Sequence, residues 1–291
     1  MNENESRRSS VTRLLNENVA TVDVRENLER RLLSGTPLRV KMGFDPSAPD
    51  IHLGHYVGLK KMRHFQELGH TIVVIIGDWT AQIGDPSGRS AQRRMLSAEE
   101  VRANAQTYLD QFFKVVDEDR AEVRWQSSWF GSFDLADVLR LTSKFTVAQM
   151  LQRVDFEKRY ASGSPIGIVE FLYPLLQAYD SVAVQSDVEM GGTDQTFNLL
   201  VGRDIQREMG QTPQDILTVP ILVGIDGEMK MSKSLGNYVG IDENPNDMYG
   251  KLMSIPDEVI GMYLRLVSDI PVTVRMCRPS AVRRGDVTVS I

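Results

Sequence analysis

The chain has 291 residues, of which 42% are hydrophobic and 25% charged, and its net charge at pH 7 is −6. This balance is typical of a globular protein with a sizeable core, and it argues against a surface coated with positive charge for nucleic acid while allowing a local basic patch. The single cysteine, Cys277, excludes an intramolecular disulfide; with no apolar run longer than residues 72–76 and no signal-peptide core, we expect a cytoplasmic protein outside the membrane.

The first elements predicted along the chain form a βαβ unit. Residues 1–35 have helical spacing and are expected to form an amino-terminal helical segment. Residues 38–44 alternate apolar and polar side chains and predict a strand, whereas residues 55–68 repeat apolar side chains at helical spacing. Residues 71–76 are a β-branched run, typical of a buried parallel strand.

The rest of the chain is predicted to be mainly helical. Helices are expected at residues 97–116, 134–160, 169–179, 195–209, 246–253 and 257–267, and short strands at residues 182–184 and 218–223. The order of elements predicts an α/β fold: a doubly wound parallel sheet with a helical insertion at about residues 120–165. In such sheets ligands bind at the carboxyl ends of the strands, where the strand order reverses.

A first motif, His52-Leu53-Gly54-His55, falls at the turn between the first predicted strand and its helix. A helix start offers free N–H groups and partial positive charge to a phosphate, Gly54 allows close approach, and two imidazoles can donate hydrogen bonds. A pair of surface histidines or half of a metal site is the alternative. The other two histidines, His64 and His70, are expected to be solvated.

A second motif, Lys230-Met231-Ser232-Lys233-Ser234, follows a turn that contains glycine and aspartate. Two ammonium groups on a mobile loop can neutralise the charge of a leaving pyrophosphate. A solvated lysine loop is the alternative for this motif alone. Both motifs together favour attack of a carboxylate on the α-phosphate of ATP, with His52, His55, Lys230 and Lys233 as catalytic candidates.

Between these motifs lie polar groups suited to an amino acid. Tyr173, Gln177 and Asp180 share one face of a predicted helix, at positions i, i+4 and i+7. Asp85 sits in a Gly-Asp-Pro-Ser-Gly turn and could hold an ammonium group, although an aspartate that only forms the turn is the alternative. Asp194 and its neighbour Gln195 open a helix after two glycines, where helix capping is the competing interpretation.

These residues resemble a known family. The two motifs are similar to those of class I aminoacyl-tRNA synthetases, and four further segments narrow the resemblance to the bacterial tyrosyl-tRNA synthetases: residues 43–47 (GFDPS), 83–88 (IGDPSG), 177–180 (QAYD) and 191–195 (GGTDQ). The similarity runs from about residue 10 to about residue 270. It implies a Rossmann-like catalytic domain at residues 36–223, a lysine loop with helices at residues 224–271, and a homodimer formed through the helical insertion.

The resemblance also implies the reaction and the residues that serve it. L-Tyrosine and ATP, carried with Mg²⁺ rather than with a metal held by the protein, would give tyrosyl-adenylate, and the tyrosyl group would then pass to tRNA(Tyr). Tyrosine would be held by Asp85, Tyr173, Gln177, Asp180 and Gln195. ATP would be held by Asp45, His52, Gly54, His55, Gly192, Asp194, Lys230, Met231 and Lys233. Arg89 and Arg93 would approach pyrophosphate or tRNA.

The chain departs from the family pattern in two places. Lys41 and Met42 stand where many members have a tyrosine and a cysteine, which leaves Asp180 as the main reader of the tyrosine hydroxyl. Residues 272–291 are atypical where the family continues into tRNA-binding domains, so we expect adenylate formation with weakened tRNA charging. The alternatives are a tryptophanyl-type synthetase, another nucleotidyltransferase and a catalytically idle RNA-binding protein; the retained motifs and Asp180 favour tyrosine activation.

Overall fold

A computed structural model describes residues 3–46, 50–86 and 96–270 of the chain. In these ranges six strands form one sheet in the order β1-β6-β5-β2-β3-β4. They are β1 Thr21–Asp23, β2 Arg39–Phe44, β3 Thr71–Ile76, β4 Ala121–Trp125, β5 Val188–Gly192 and β6 Asp215–Val219. β2 to β6 are mutually parallel, and only the edge strand β1 pairs antiparallel, with β6.

Thirteen α-helices accompany the sheet in the described ranges. They are α1 Glu3–Asn16, α2 Arg25–Ser34, α3 Leu53–Glu67, α4 Thr80–Ile83, α5 Ala98–Phe112, α6 Ser127–Phe130, α7 Leu135–Thr142, α8 Val147–Met150, α9 Val154–Ala161, α10 Leu172–Ala183, α11 Thr196–Glu208, α12 Pro245–Met253 and α13 Asp257–Val267. Several begin at side chains that cap free N–H groups, as Ser97 does for α5 by accepting a hydrogen bond from the Glu100 amide. None of them has the length and apolar character needed to cross a membrane.

Both faces of the sheet are covered. Alternate residues of β3, such as Ile72 and Val74, pack into the main core with α1, α2, α3 and α5, whereas Val73 and Ile75 pack on the opposite face against Val184. A separate apolar cluster on the side of α10 and α11 includes Leu141 and Met150 of the insertion helices. This is the Rossmann-like, doubly wound arrangement that the sequence predicts.

The strand order reverses between β2 and β5. The chain runs outward through β2, β3 and β4 to one edge and then through β5 and β6 toward the other. The carboxyl ends of β2 and β5 therefore diverge at a topological switch point, where a ligand cleft is expected. The strand predicted at residues 38–44 and that at residues 71–76 are confirmed as β2 and β3.

Three secondary-structure predictions are corrected. Residues 182–184 were expected to be a strand, but the β-branched side chains of Val182 and Val184 lie at the end of α10. The strand comes later, as β5, whose sequence Val-Glu-Met-Gly-Gly has no apolar run. The predicted strand at 218–223 is instead β6, which ends at Val219. Residues 121–125, at the start of the helical insertion expected at about residues 120–165, instead form the unpredicted strand β4, and helices follow from Ser127.

Candidate active site

One cleft opens at the carboxyl ends of the parallel strands, with a volume of about 830 Å³. Residues that follow β2, β3, β5 and β6 line it, together with the start of α3, one face of α10 and the loop after β6. All the sequence-predicted site residues that the structure describes line this cleft. Arg89 and Arg93 lie outside the described residues, as do residues 272–291.

Two stacked imidazoles form one wall of the cleft. His52 precedes α3 and His55 lies in its first turn, with ring centroids 3.9 Å apart. Burial, with a smaller contribution from Lys233 and Lys230, lowers the pKa of His52 to about 3, and burial also holds the pKa of His55 well below its usual range. Both rings are therefore neutral at pH 7. The buried Nδ1 of His52 has no hydrogen-bond partner among the described residues.

Gly54 is required by this packing. A Cβ atom there would lie 2.9 Å from the His52 ring and 3.6 Å from the Cβ of Met231. The glycine therefore lets the histidine motif and the lysine loop meet. Met231 is buried against the main core, so the loop is anchored at its centre.

The lysine loop crosses the mouth of the cleft. The ammonium group of Lys230 pairs with the carboxylate of Asp194 after β5. That of Lys233 donates to the backbone carbonyl of Asp50 and lies 5.8 Å from the centre of the Tyr108 ring. Burial lowers the pKa of Lys233 to about 8. The loop thus brings two cations to within reach of the histidine wall.

Asp180 closes the deep end of the cleft. Its carboxylate accepts hydrogen bonds from Gln126 Nε2 at 2.8 Å and from Trp129 Nε1 at 3.2 Å. Gln126 is itself held because its Oε1 accepts from the backbone N–H of Thr80 at 3.0 Å. Burial raises the pKa of Asp180 to about 8, although Lys41 and these two donors oppose the shift. The site therefore presents a carboxyl group that gives up its proton only near neutral pH or above.

Between Asp180 and the histidines, polar groups from five parts of the chain converge. Asp85 accepts from Arg153 Nη2 at 2.8 Å and from Gln195 Nε2 at 2.5 Å. Tyr173 donates its hydroxyl to Asp45 at 2.7 Å, and burial raises its pKa well above the usual range. The middle of the cleft thus joins carboxylates, amides and a hydroxyl, the groups that bind an ammonium group and a carboxylate.

Lys41 does not reach the cleft. It is fully buried in β2, where its ammonium group lies 2.9 Å from Glu189 Oε1 and 2.6 Å from Ser181 Oγ. It also donates to the backbone carbonyl of Gln177 at 3.0 Å, below the face of α10 that lines the cleft.

Comparison with known proteins identifies this arrangement. The sequence pattern of the family described as tRNA synthetases class I (W and Y) matches residues 33–279. The chain belongs to this family. It is 64% identical over 271 residues to a tyrosine–tRNA ligase of Dehalococcoides mccartyi (strain CBDB1), an alignment that covers 93% of this chain and 68% of that protein. A tyrosine–tRNA ligase of Thermotoga maritima is 59% identical over 259 residues, covering 89% and 65%.

Solved structures agree with this assignment. A tyrosyl-tRNA synthetase of Archaeoglobus fulgidus, complexed with L-tyrosine, superimposes with a TM-score of 0.75 at 26% identity, covering 89% of this chain and 80% of that one. The enzyme of Aeropyrum pernix shares the fold, with a TM-score of 0.73 at 22% identity over 91% and 78% of the two chains. Within the class I synthetases, the chain thus groups with the tyrosine–tRNA ligases, and the family uses ATP as a substrate.

Some residues of this synthetase site were not predicted from sequence. Gln126, Trp129, Arg153 and Asn198 all bond to predicted site residues. No motif marks them, because Gln126 and Trp129 sit around the carboxyl end of the unpredicted β4 and Arg153 lies between two insertion helices.

The prediction for His70 was wrong: it is buried, its Nδ1 accepts from the Leu38 amide at 3.1 Å, and burial lowers its pKa to about 4.

Proposed function

We propose that this chain activates L-tyrosine with ATP, giving tyrosyl-adenylate and pyrophosphate, and that the tyrosyl group then passes to tRNA(Tyr). One observation carries the proposal: a single cleft has a buried carboxyl group at its deep end and two histidines with two lysines at its mouth. The buried carboxyl group suits a phenol, and the histidines and lysines suit a triphosphate. The Archaeoglobus enzyme, whose structure is a complex with L-tyrosine, supports the same substrate.

In this proposal tyrosine lies along α10. Asp180 accepts its phenolic hydroxyl, and Gln126 and Trp129 keep the carboxylate oriented. Asp85, Tyr173 and Gln177 surround the α-ammonium group, while Gln195 lies beside the reacting carboxylate. Phenylalanine would leave Asp180 without its phenol donor, and a buried polar group without its partner is costly. The similarity to tyrosine–tRNA ligases is what favours tyrosine over the tryptophan alternative.

ATP occupies the other half of the cleft. His52, Gly54 and His55 at the start of α3 face the phosphates, where a helix amino terminus favours anions. Asp45, Gly192 and Asp194 lie beside the nucleoside, and Met231 fixes the lysine loop. Within the described ranges no group of three or more His, Cys, Asp or Glu side chains could hold a metal ion. In the proposal, Mg²⁺ is carried to the site with ATP, bound by its phosphates.

The chemistry needs no general base. The tyrosine carboxylate is already ionised at neutral pH, and one of its oxygens attacks the α-phosphorus. The bond from that phosphorus to the bridging oxygen breaks, and its electron pair leaves with pyrophosphate. Lys230 and Lys233 neutralise the charge that develops there, while neutral His52 and His55 donate hydrogen bonds. Arg89 and Arg93 are proposed to contact the pyrophosphate or the tRNA.

We also propose a homodimer, formed through the helical insertion. Large apolar side chains of this region face solvent: Leu135 is 72% exposed, Leu139 60% and Ile168 85%. Leu135 and Leu139 lie four residues apart on one face of α7, so the exposed surface is continuous along that helix. Exposed apolar patches of this kind mark protein interfaces.

We further propose that residues 36–223 form the catalytic domain and that residues 224–271 form the lysine loop with its helices.

ATP–pyrophosphate exchange tests the activation step. We expect exchange with tyrosine, and little with phenylalanine or tryptophan, when the three are compared in parallel. Asp180→Ala should remove most of the preference for tyrosine over phenylalanine. Exchange supported by tryptophan alone, or by none of the three, would contradict the proposal. Charging of tRNA(Tyr) is measured separately, so that the two steps are distinguished.

A further inference from the structure

A buried asparagine joins the polar groups in the middle of the cleft. Asn198 lies in the first turn of α11, is 1% exposed and does not line the cleft itself. Its Nδ2 donates to Gln177 Oε1 at 2.9 Å and to Gln195 Oε1 at 3.0 Å. Its Oδ1 accepts from Arg153 Nη1 at 3.0 Å. One small amide thus contacts both glutamines proposed to bind tyrosine.

These contacts form a closed ring. Arg153 donates through Nη1 to Asn198 and through Nη2 to Asp85 Oδ1, at 3.0 and 2.8 Å. Gln195 completes the ring by donating from Nε2 to Asp85 Oδ2. A branch leaves the ring at Asn198, which donates to Gln177, and Gln177 Nε2 in turn donates to Glu189 Oε1 at 3.1 Å.

The chemistry of the ring fixes the direction of every hydrogen bond. A guanidinium group can only donate, so Asn198 must turn its oxygen toward Arg153. Its two N–H groups are then left for the oxygens of Gln177 and Gln195. Both glutamines consequently turn their NH₂ groups toward carboxylates, which only accept when ionised. Asn198 and the two carboxylates therefore fix the orientation of both amides together.

We infer that Asn198 is a positioning residue for the α-ammonium and carboxylate groups of the amino acid substrate. The inference rests on the proposed function, because it concerns how Gln177, Gln195 and Asp85 meet tyrosine. Without the two donors of Asn198, Gln177 and Gln195 each lose the hydrogen bond to their Oε1 atom, so their amides are held less firmly against Glu189 and Asp85. The phenol subsite at Asp180 has its own supports in Gln126 and Trp129 and is not part of the ring.

A matched control lies on the same helix. Gln206 is also a buried amide, 1% exposed, two turns further along α11. Within the described residues its side chain bonds to backbone groups only: Nε2 donates to the carbonyls of Ser186 at 2.9 Å and Ser181 at 3.3 Å, and Oε1 accepts from the amide of Gln214 at 2.7 Å. Replacing Gln206 disturbs packing and stability without touching the ring, so it reports what a merely structural role would do.

The experiment compares Asn198→Asp, Asn198→Ser and Gln206→Met in ATP–pyrophosphate exchange. Asn198→Asp keeps the shape of the side chain and the acceptor for Arg153 but removes both donors. If the serine variant does not fold, Asn198→Asp alone tests whether Asn198 positions the two glutamines. We expect the KM for tyrosine to rise about tenfold or more in the Asn198 variants, as for lost hydrogen bonds to charged or polar partners. The KM for ATP should change less than about twofold.

A second readout separates positioning from general damage. We expect p-cresol, which carries only the phenol, to inhibit the wild type and the Asn198 variants with inhibition constants equal to within about twofold. Gln206→Met should lower the melting temperature without raising the KM for tyrosine. Equal KM values for tyrosine in the wild type and Asn198→Asp, or equal losses for tyrosine and p-cresol, would overturn the inference alone. A wild type without tyrosine-dependent exchange would overturn the proposed function as well.

Discussion

At the scale of single residues, two effects oppose each other at Asp180. Burial favours the protonated carboxyl group, whereas its proposed role as a hydrogen-bond acceptor favours the ionised form. Its pKa of about 8 means that the free protein holds a protonated carboxyl at pH 6 to 7. A phenol that donates a hydrogen bond favours the ionised form, so Asp180 must lose its proton when tyrosine binds below pH 8. Phenylalanine brings no donor and favours the protonated form.

The ratio of tyrosine to phenylalanine affinity should therefore rise with pH from about 6 to about 8, by at most about tenfold per pH unit, and then level off. The ratio removes the titration of the α-ammonium group, which the two amino acids share. Dissociation constants across this pH range give the measurement, with Asp180→Asn as the variant that should flatten the curve. A wild-type ratio independent of pH would contradict the assignment of Asp180 as the hydroxyl acceptor.

Lys233 gives a second titration. Burial lowers its pKa to about 8, so the free protein loses this cation as pH rises through 8. We expect kcat/KM for ATP, measured at saturating tyrosine, to fall above pH 8 in the wild type. Lys233→Arg keeps its charge at all these pH values and should lack this decline, although its activity is lower overall. The same alkaline decline in both proteins would show that another group is responsible.

At the scale of elements, α2 is tied to the sheet by charge. Asp215, at the start of β6, is fully buried and accepts from Asn27 Nδ2 at 2.8 Å and from Arg31 Nη1 at 3.0 Å. Arg31 also pairs with Asp187 just before β5. These contacts lie at the amino ends of the strands, away from the cleft.

Arg31→Met should destabilise the fold, because it leaves a buried carboxylate with Asn27 alone. We expect a loss of roughly 2–3 kcal/mol, less than for a fully buried pair since Arg31 is partly exposed. Chemical denaturation measures the change, and Glu26→Gln, at an exposed position of the same helix, is the control. The KM for tyrosine should stay the same. Equal stabilities of the two variants would exclude this contribution of the pair.

The sequence correctly predicted those elements whose buried side chains follow the apolar periodicity of a helix or form a β-branched run. β3 has five buried residues in a β-branched run, and α3 repeats its apolar positions, so both were predicted correctly. β5 was missed because its second residue is Glu189. Lys41 of β2 pairs with this buried charge, and hydrogen bonds from Gln177, Ser181 and Gln214 also stabilise it. Val182 and Val184 favour a strand by propensity, yet packing of α10 on α11 keeps them in a helical segment.

At the scale of the whole molecule, the proposed dimer can be tested through α7. Leu139→Arg places a charge in the middle of the exposed apolar face, and a charge buried at an interface without a partner is strongly unfavourable. We expect the wild type to sediment as a dimer and Leu139→Arg as a monomer. Arg140→Leu on the same helix, at an exposed site that already pairs with Asp137, is the control. A wild type that sediments as a monomer would refute the dimer.

The sequence by itself determined the class of chemistry. Three local patterns could be recognised because their residues are close in the chain: His52-Leu53-Gly54-His55, Lys230 to Ser234, and the helical spacing of Tyr173, Gln177 and Asp180. Only the tertiary structure decided how these groups are held. Asn198, Arg153, Gln126 and the Lys41–Glu189 pair act on residues distant in sequence, and their hydrogen bonds exist only once β2, β5 and the helices pack together. Burial likewise set the pKa values of Asp180, Lys233 and His52, because it depends on atoms brought from the whole chain.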